Sequence, residues 1–351
     1  MPVGRPDTRG RVPDPYAGRV SSHGLADVRL HIVTGKGGTG KTTVAAALAL
    51  ALATGAHRRV LLIEVEERQG LAQLFDTPPL PYREQKVASA PGGGEVFALA
   101  VDAEQALMEY LELFYNLKRA GGALKRLGAI DFATTIAPGL RDVLLIGKVK
   151  EAVVRADPRR EGGKAYDAVV LDAPPTGRIT RFLNVTHHVA GLARVGPIRT
   201  QSDGVMSVLR SAKTNVHLVT LLEEMPVQET VDGVADIRGI QLPVGAVIVN
   251  ATRRPRLTAP DLERAEAGTL DLDGVARTLK EVGVEPTEAL LRGLADEARE
   301  HAERVALEAR ERTDIAELGL PTYELPLLPD IDLAALLQLA EQLRDEGMVT
   351  A

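Results

Sequence analysis

Nine consecutive residues, Gly35, Lys36, Gly37, Gly38, Thr39, Gly40, Lys41, Thr42 and Thr43, constrain this chain more than any other stretch in it. They follow a short β-branched apolar run at 28–34 and lead into an Ala/Leu-rich run at 44–53 that reads as a buried helix. A strand, a glycine-rich turn and a helix in that order aim backbone N–H groups, and the helix dipole, at one point in space, which makes an anion cradle. The spacing is G-x-x-x-x-G-K-[ST], so Lys41 is expected on the β- and γ-phosphates of a nucleotide, and the Thr42 hydroxyl on Mg²⁺. The expected ligands are therefore ATP and Mg²⁺.

Similar apolar runs recur at 60–65 (VLLIEV), 96–101 (VFALAV), 168–172 (AVVLD), 216–222 and 244–250 (VGAVIVN). Such continuous runs mark strands buried on both faces of a largely parallel sheet. Helical patterns fill the gaps, and right-handed crossovers then place helices on both faces. The expected fold is α/β, a doubly wound, mostly parallel sheet of the P-loop NTPase type. The stretches at 103–160 and 179–214 are longer than plain crossovers and are expected to form an inserted helical subdomain. Residues 27–351 are read as a single domain. Residues 1–26, rich in Pro, Gly, Arg and Ser, are read as a flexible tail.

Three other segments carry expectations. Residues 77–95 hold Pro78, Pro79, Pro81 and Gly92 to Gly94 and read as irregular loop. Residues 287–318 read as a solvated helix with one narrow apolar stripe (Leu294, Ala298, Ala302, Val305, Ala309) and i,i+4 pairs Arg299–Glu303 and Glu300–Arg304. Residues 331–343 are amphipathic but flanked by Asp330, Asp345 and Glu346, the wrong charge for an anionic lipid surface, and are expected to pack back on the sheet.

Composition removes several function classes. The formal charge is −6 and no Lys/Arg-rich run stands out, which argues against nucleic-acid binding. There is no cysteine, so disulfides, Cys-ligated zinc, iron–sulfur clusters and thiol catalysis are excluded. No apolar stretch approaches the roughly 20 residues that span a bilayer, and direct membrane insertion is not expected. With no signal-like leader the expected location is cytoplasmic. The adjacent His187 and His188 point in different directions on a helix and are not read as a metal pair.

Asp172 ends a buried strand and is followed by Ala173, Pro174, Pro175, Thr176 and Gly177. A carboxylate at a strand end beside the phosphate loop suits a Walker B residue that holds Mg²⁺ through water. The stiff Pro-Pro segment with one permissive glycine suits a switch that senses the γ-phosphate.

From the P-loop onward the chain resembles the ArsA family, the arsenical pump-driving ATPases and the ATPases that target tail-anchored membrane proteins. GKGGTGKTT matches that family's deviant Walker A loop, and DAPPTGRITRFL at 172–183 is similar to its switch II. Glu229-Thr230 match a family Glu-Thr pair, Asn250 falls at the family's adenine-reading Asn, and Pro326-Leu327 fall where a late loop closes over the base. The resemblance implies that Lys36 crosses a dimer interface to the partner's phosphates. Two positions depart from the pattern: Glu66 replaces the water-orienting Asp of switch I, and Arg178 stands where switch II has His. The family's cysteine sites are missing as well.

The resemblance implies a dimeric ATP-driven switch, with Lys36, Lys41, Glu66 and Asp172 as catalytic residues. Closure of the dimer would be coupled to binding and release of a protein client or a membrane-protein receptor. With one P-loop in the sequence, the dimer is either homodimeric or formed with a paralogous ATPase. The alternatives are a MinD/ParA-like positioning ATPase, and a nucleotide-gated partner subunit with weak turnover.

Overall fold

The computed structural model describes residues 28–55, 57–66, 69–115, 138–160, 163–184 and 197–349; residues 1–26 and the His187-His188 pair lie outside them. Eight strands form one sheet: β1 (Leu30–Gly35), β2 (Arg59–Glu64), β3 (Gln85–Ala90), β4 (Gly94–Ala100), β5 (Ala168–Asp172), β6 (Thr214–Thr220), β7 (Val244–Thr252) and β8 (Thr322–Pro326). Their order is β3-β4-β2-β5-β1-β6-β7-β8, and every neighbouring pair is parallel except β3–β4. The described helices are α1 (Lys41–Ala53), α2 (Gly70–Leu74), α3 (Ala103–Tyr115), α4 (Pro138–Val154), α5 (Thr176–Leu183), α6 (Pro197–Leu209), α7 (Glu224–Gly239), α8 (Ala259–Glu266), α9 (Leu272–Glu281), α10 (Glu288–Glu317) and α11 (Leu333–Asp345). The doubly wound α/β architecture expected from the apolar runs is the one observed.

Strand alternation divides the core in two. Leu30 and Ile32 of β1 and Ile63 of β2 face a cluster that includes Leu107, Val143, Leu144 and Val149, Ile179 and Phe182, Val205, and Val234 and Ile237, from α3 to α7. Val33 and Leu62 point the other way, into a cluster built on α1 and α11. Residues 44–53 of α1 are all buried, because the sheet covers one side of the helix and Leu336, Leu339, Ala340 and Leu343 of α11 cover the other. The acidic C-terminal segment thus packs back as its charge suggests, on the helix that follows the glycine-rich loop.

Two readings needed correction. Residues 85–90, expected to be irregular, form β3, an antiparallel edge strand. Gly92 and Gly93 both take positive φ, so these glycines make a tight turn. The second concerns the stripe on the helix expected at 287–318: the helix is present and mostly solvated as α10, one of three that 259–317 inserts between β7 and β8. Along α10 only Ala302, Glu308, Glu311 and Ile315 are buried, and α9 buries no residue. The expected stripe therefore has no core along its N-terminal half, where Leu294 is 37% exposed. Arg299 pairs backward with Asp296 (2.7 Å) and Arg292 with Glu288, in place of the i,i+4 pairs read from the sequence.

Candidate active site

β1 and β6 are neighbours, but the chain after β1 runs to β2 on one side and the chain after β6 runs to β7 on the other, so these connections diverge and open a crevice at the carboxyl edge of the sheet. Open α/β sheets bind ligands at such a switch point. The glycine-rich loop from Gly35 to Gly40 fills the crevice floor. A Cβ on Gly35 would stand 2.2 Å from the Val219 carbonyl oxygen, which excludes any side chain there. Gly40 has φ +84 and precedes α1, whose N-terminus has no side-chain cap. The first-turn N–H groups of α1 are thereby left to a ligand. Nothing lies within 4 Å of the Cβ position of Gly37 or Gly38, so both glycines face open space.

The loop folds inward on the Lys36 carbonyl. The Thr39 hydroxyl donates to it at 2.9 Å and Lys41 Nζ at 3.4 Å. Asn250, from β7, donates through Nδ2 to the Thr39 carbonyl at 2.9 Å, so a residue 211 positions away buttresses the loop.

Thr42, in the first turn of α1, donates its hydroxyl to Asp172 Oδ2 at 2.7 Å. Val33 and Asp172 are in register, and Ala173 N–H donates to the Val33 carbonyl, which fixes the carboxylate beside the loop. Burial pushes the Asp172 carboxyl up to about 7. The Thr42 hydrogen bond and Lys41 pull it down, and Glu64 and Glu66 push it further up. Hard oxygen donors crowded by carboxylates favour a small divalent cation. Among the described residues no group of three His, Asp or Glu side chains forms a closed metal cage. One hydroxyl and one carboxylate fit Mg²⁺, which keeps several waters and shares its remaining positions with phosphates.

The last residue of β2 and the segment after it add two carboxylates. Glu64 is opposite Asp172 in register and is buried; its oxygens accept from Gly70 N–H (3.0 Å) and Leu71 N–H (3.4 Å) at the start of α2. The sequence reading passed over Glu64, although the signal that singled out Asp172, a carboxylate ending a buried strand, applies to it equally. Glu66 follows, and its Oε1 lies 3.5 Å from Nη1 of Arg178 in α5.

Lys36 pairs within its own chain, its Nζ 3.2 Å from Glu229 Oε1 on α7. The Thr176 hydroxyl donates to Oε2 of the same carboxylate at 3.2 Å, so the loop, the segment after β5 and α7 meet at Glu229. The neighbouring Thr230 is turned inward and bonds the Pro226 carbonyl of its own helix.

Asn250 also lines a cleft of about 330 Å³, counting space open to solvent, together with Leu222, Glu223, Arg253 and the buried Glu308 of α10. Pro326 is opposite Thr252 in register, and Leu327 N–H donates to the Thr252 carbonyl at 2.9 Å. These two residues, the last of β8 and the one after it, sit beside the end of β7, outside that cleft's lining. Lys36, Lys41, Thr42, Asp172 and Glu66 converge on one crevice, with Asn250 at its side and Pro326 and Leu327 at the end of Asn250's strand.

Residues 28–212 match the family model described as anion-transporting ATPase, ArsA. The chain is 53% identical over 325 residues to the ATPase BagA of Mycobacterium tuberculosis, an alignment covering 92% of this chain and 95% of that protein. It is 29% identical over 206 residues to the ATPase ARSA2 of Chlamydomonas reinhardtii (56% and 48% covered). Against the ATPase GET3 of Zygosaccharomyces rouxii it is 25% identical over 213 residues (55% and 59% covered).

Proposed function

The chain belongs to the ArsA family of anion-transporting ATPases, and from that premise we propose that it binds and hydrolyses Mg·ATP as a dimeric switch. The observation that carries this reading is the 2.7 Å contact between Thr42 and Asp172, which joins the glycine-rich loop to the end of β5. The N–H groups of the loop and of the first turn of α1 would cradle the phosphates, with Lys41 on the β- and γ-oxygens. Thr42 would hold Mg²⁺ directly and Asp172 would hold it through water. Bound there, the cation offsets negative charge on the phosphate oxygens. Glu66 would orient the attacking water.

Lys36 supports the dimer part of the proposal. Its loop matches the deviant Walker A pattern, and its present partner, Glu229, is more than a third exposed. An exposed pair is worth about 1 kcal/mol or less, so Lys36 can leave it to meet phosphates on a second copy or on a paralogous chain. Opening and closing would drive binding and release of a protein client or a membrane-protein receptor, with the whole cycle running in the cytoplasm.

Phosphate release by the purified chain tests the reading, with Lys41→Ala as the blank and Lys36→Ala as the dimer probe, alongside mass measurement with and without Mg·ATP. The expected outcome is turnover and nucleotide-dependent doubling of mass, both lost in each variant. Tight ATP binding with no turnover above the blank would sink the hydrolytic reading. Turnover by a species that stays monomeric would sink the dimeric one.

A further inference from the structure

Glu66 and Arg178 come from different segments but meet at the mouth of the crevice. β2 and β5 are neighbours with Glu64 and Asp172 in register, so the segments that follow them leave the sheet side by side. Arg178 stands in the first turn of α5 and brings Nη1 to 3.5 Å from Glu66 Oε1. The two partners are unequally placed: the Glu66 side chain is 15% exposed and that of Arg178 66%. The carboxylate is thus turned inward, and the guanidinium covers it from the solvent side.

This arrangement answers an electrostatic problem. Glu64, Glu66 and Asp172 crowd one end of the crevice, and Glu64 and Glu66 both act on Asp172. A triphosphate arriving there would repel a mobile Glu66 outward, away from the reacting centre. Glu64 is fixed by two backbone N–H groups, whereas Glu66 has Arg178.

We infer that Arg178 is a positioning residue: its guanidinium holds the Glu66 carboxylate over the phosphate site, where the carboxylate orients the attacking water. The inference rests on the reading of Glu66 as the water-orienting group. The pair also joins the two positions at which the chain departs from the family pattern, so the longer acid arrives with a partner that fixes it.

Steady-state hydrolysis by the full-length chain tests this, with ATP affinity measured separately by a fluorescent analogue and folding checked by thermal melts. Glu66→Gln should lower kcat about a hundredfold, the scale of a misplaced reacting group. Arg178→Gln should lower kcat roughly tenfold with KM and ATP affinity nearly unchanged, the signature of a group that acts only in the transition state. Arg178→Lys, which keeps the charge, should recover most of that loss. In the double variant, adding Arg178→Gln to Glu66→Gln should cost less than about twofold more. A full tenfold loss from Arg178→Gln in the Glu66→Gln background would overturn the inference, because Arg178 would then act independently. A raised KM with unchanged kcat would overturn it too, since Arg178 would then be holding the nucleotide itself. Either result leaves the hydrolytic reading intact, whereas a wild type no faster than Lys41→Ala removes that reading and the role of the pair together.

Discussion

A methyl group added at Gly37 meets nothing within 4 Å, whereas one added at Gly40 meets Asn250 Nδ2 at 2.3 Å. The two glycines are therefore present for different reasons, and alanine separates them. Gly37→Ala should leave the unfolding midpoint within about 2 °C of wild type, yet weaken ATP binding at least about tenfold, because the methyl group would occupy the space proposed for the phosphates. Gly40→Ala should instead cost roughly 1–2 kcal/mol of stability, since a residue with Cβ is strained at φ +84, and it should push Asn250 off the loop. A thermal melt and an ATP titration on both variants distinguish the two. A Gly37→Ala protein that binds ATP normally would move the phosphate site elsewhere. Farther down β1, His31 Nδ1 lies 3.1 Å from His217 Nε2, both rings fully buried. Burial holds His31 down to about 4 and His217 well below its ordinary value. The folded pair stays neutral while the unfolded chain takes up protons below about 6.5. Stability is therefore full above that pH and is lost as the pH falls toward about 4, at up to about 1.4 kcal/mol per pH unit for each ring. Urea midpoints measured from pH 7 to pH 4.5 should fall more steeply for wild type than for His31→Leu/His217→Leu, in which the Asp172 carboxyl, held up at about 7, adds stability as the pH falls.

At the scale of elements, the dependence of α1 on α11 is the most exposed to test. α1 has no basic residue in its last turn, and Arg344 of α11 supplies the missing cation, donating to the Thr54 carbonyl at 3.2 Å and the Ala51 carbonyl at 3.4 Å. Leu339→Ala, which empties a fully buried position between the two helices, should cost about 2–5 kcal/mol. Arg344→Ala should cost about 1 kcal/mol. Chemical denaturation measures both, and a negligible loss in Leu339→Ala would mean that α11 does not hold α1. These elements were legible in the sequence because burial on all sides writes a continuous apolar run. β3 was not, because an edge strand alternates buried and exposed residues, and its Pro- and Gly-rich flanks speak louder than six residues of weak pattern. The α8–α10 insertion was half legible. Helical periodicity marked α10, but only tertiary placement shows that its buried residues all lie from Ala302 onward. The same limit applied within the site. Strand ends and loop spacing revealed Lys41, Thr42 and Asp172, whereas the meetings of Lys36 with Glu229 and of Asn250 with Thr39 join residues some 200 positions apart and leave no trace in local pattern.

For the whole molecule, the proposed dimer raises the question of what would keep the chain open before a second copy arrived. In the single chain the charge of Lys36 is spent on its own Glu229, and Thr176, at the start of α5, shares that carboxylate. If the proposed dimer is correct, closure breaks this pair twice, once in each copy. Both partners are partly exposed, so each pair contributes about 1 kcal/mol or less, and both together set a bias of no more than about thirtyfold on association. In the proposed dimer, phosphate charge on the opposite copy, desolvated as the interface closed, would offer Lys36 a larger gain than the carboxylate it leaves. The two ends of the pair should therefore respond unequally to substitution. Glu229→Gln should change the Mg·ATP-dependent association constant by less than about thirtyfold in either direction, whereas Lys36→Ala should abolish association at any accessible concentration. Sedimentation equilibrium over a range of protein concentrations reads both. Association that survives Lys36→Ala while collapsing in Glu229→Gln would assign the interface to Glu229 and leave Lys36 as a loop residue held in its own chain.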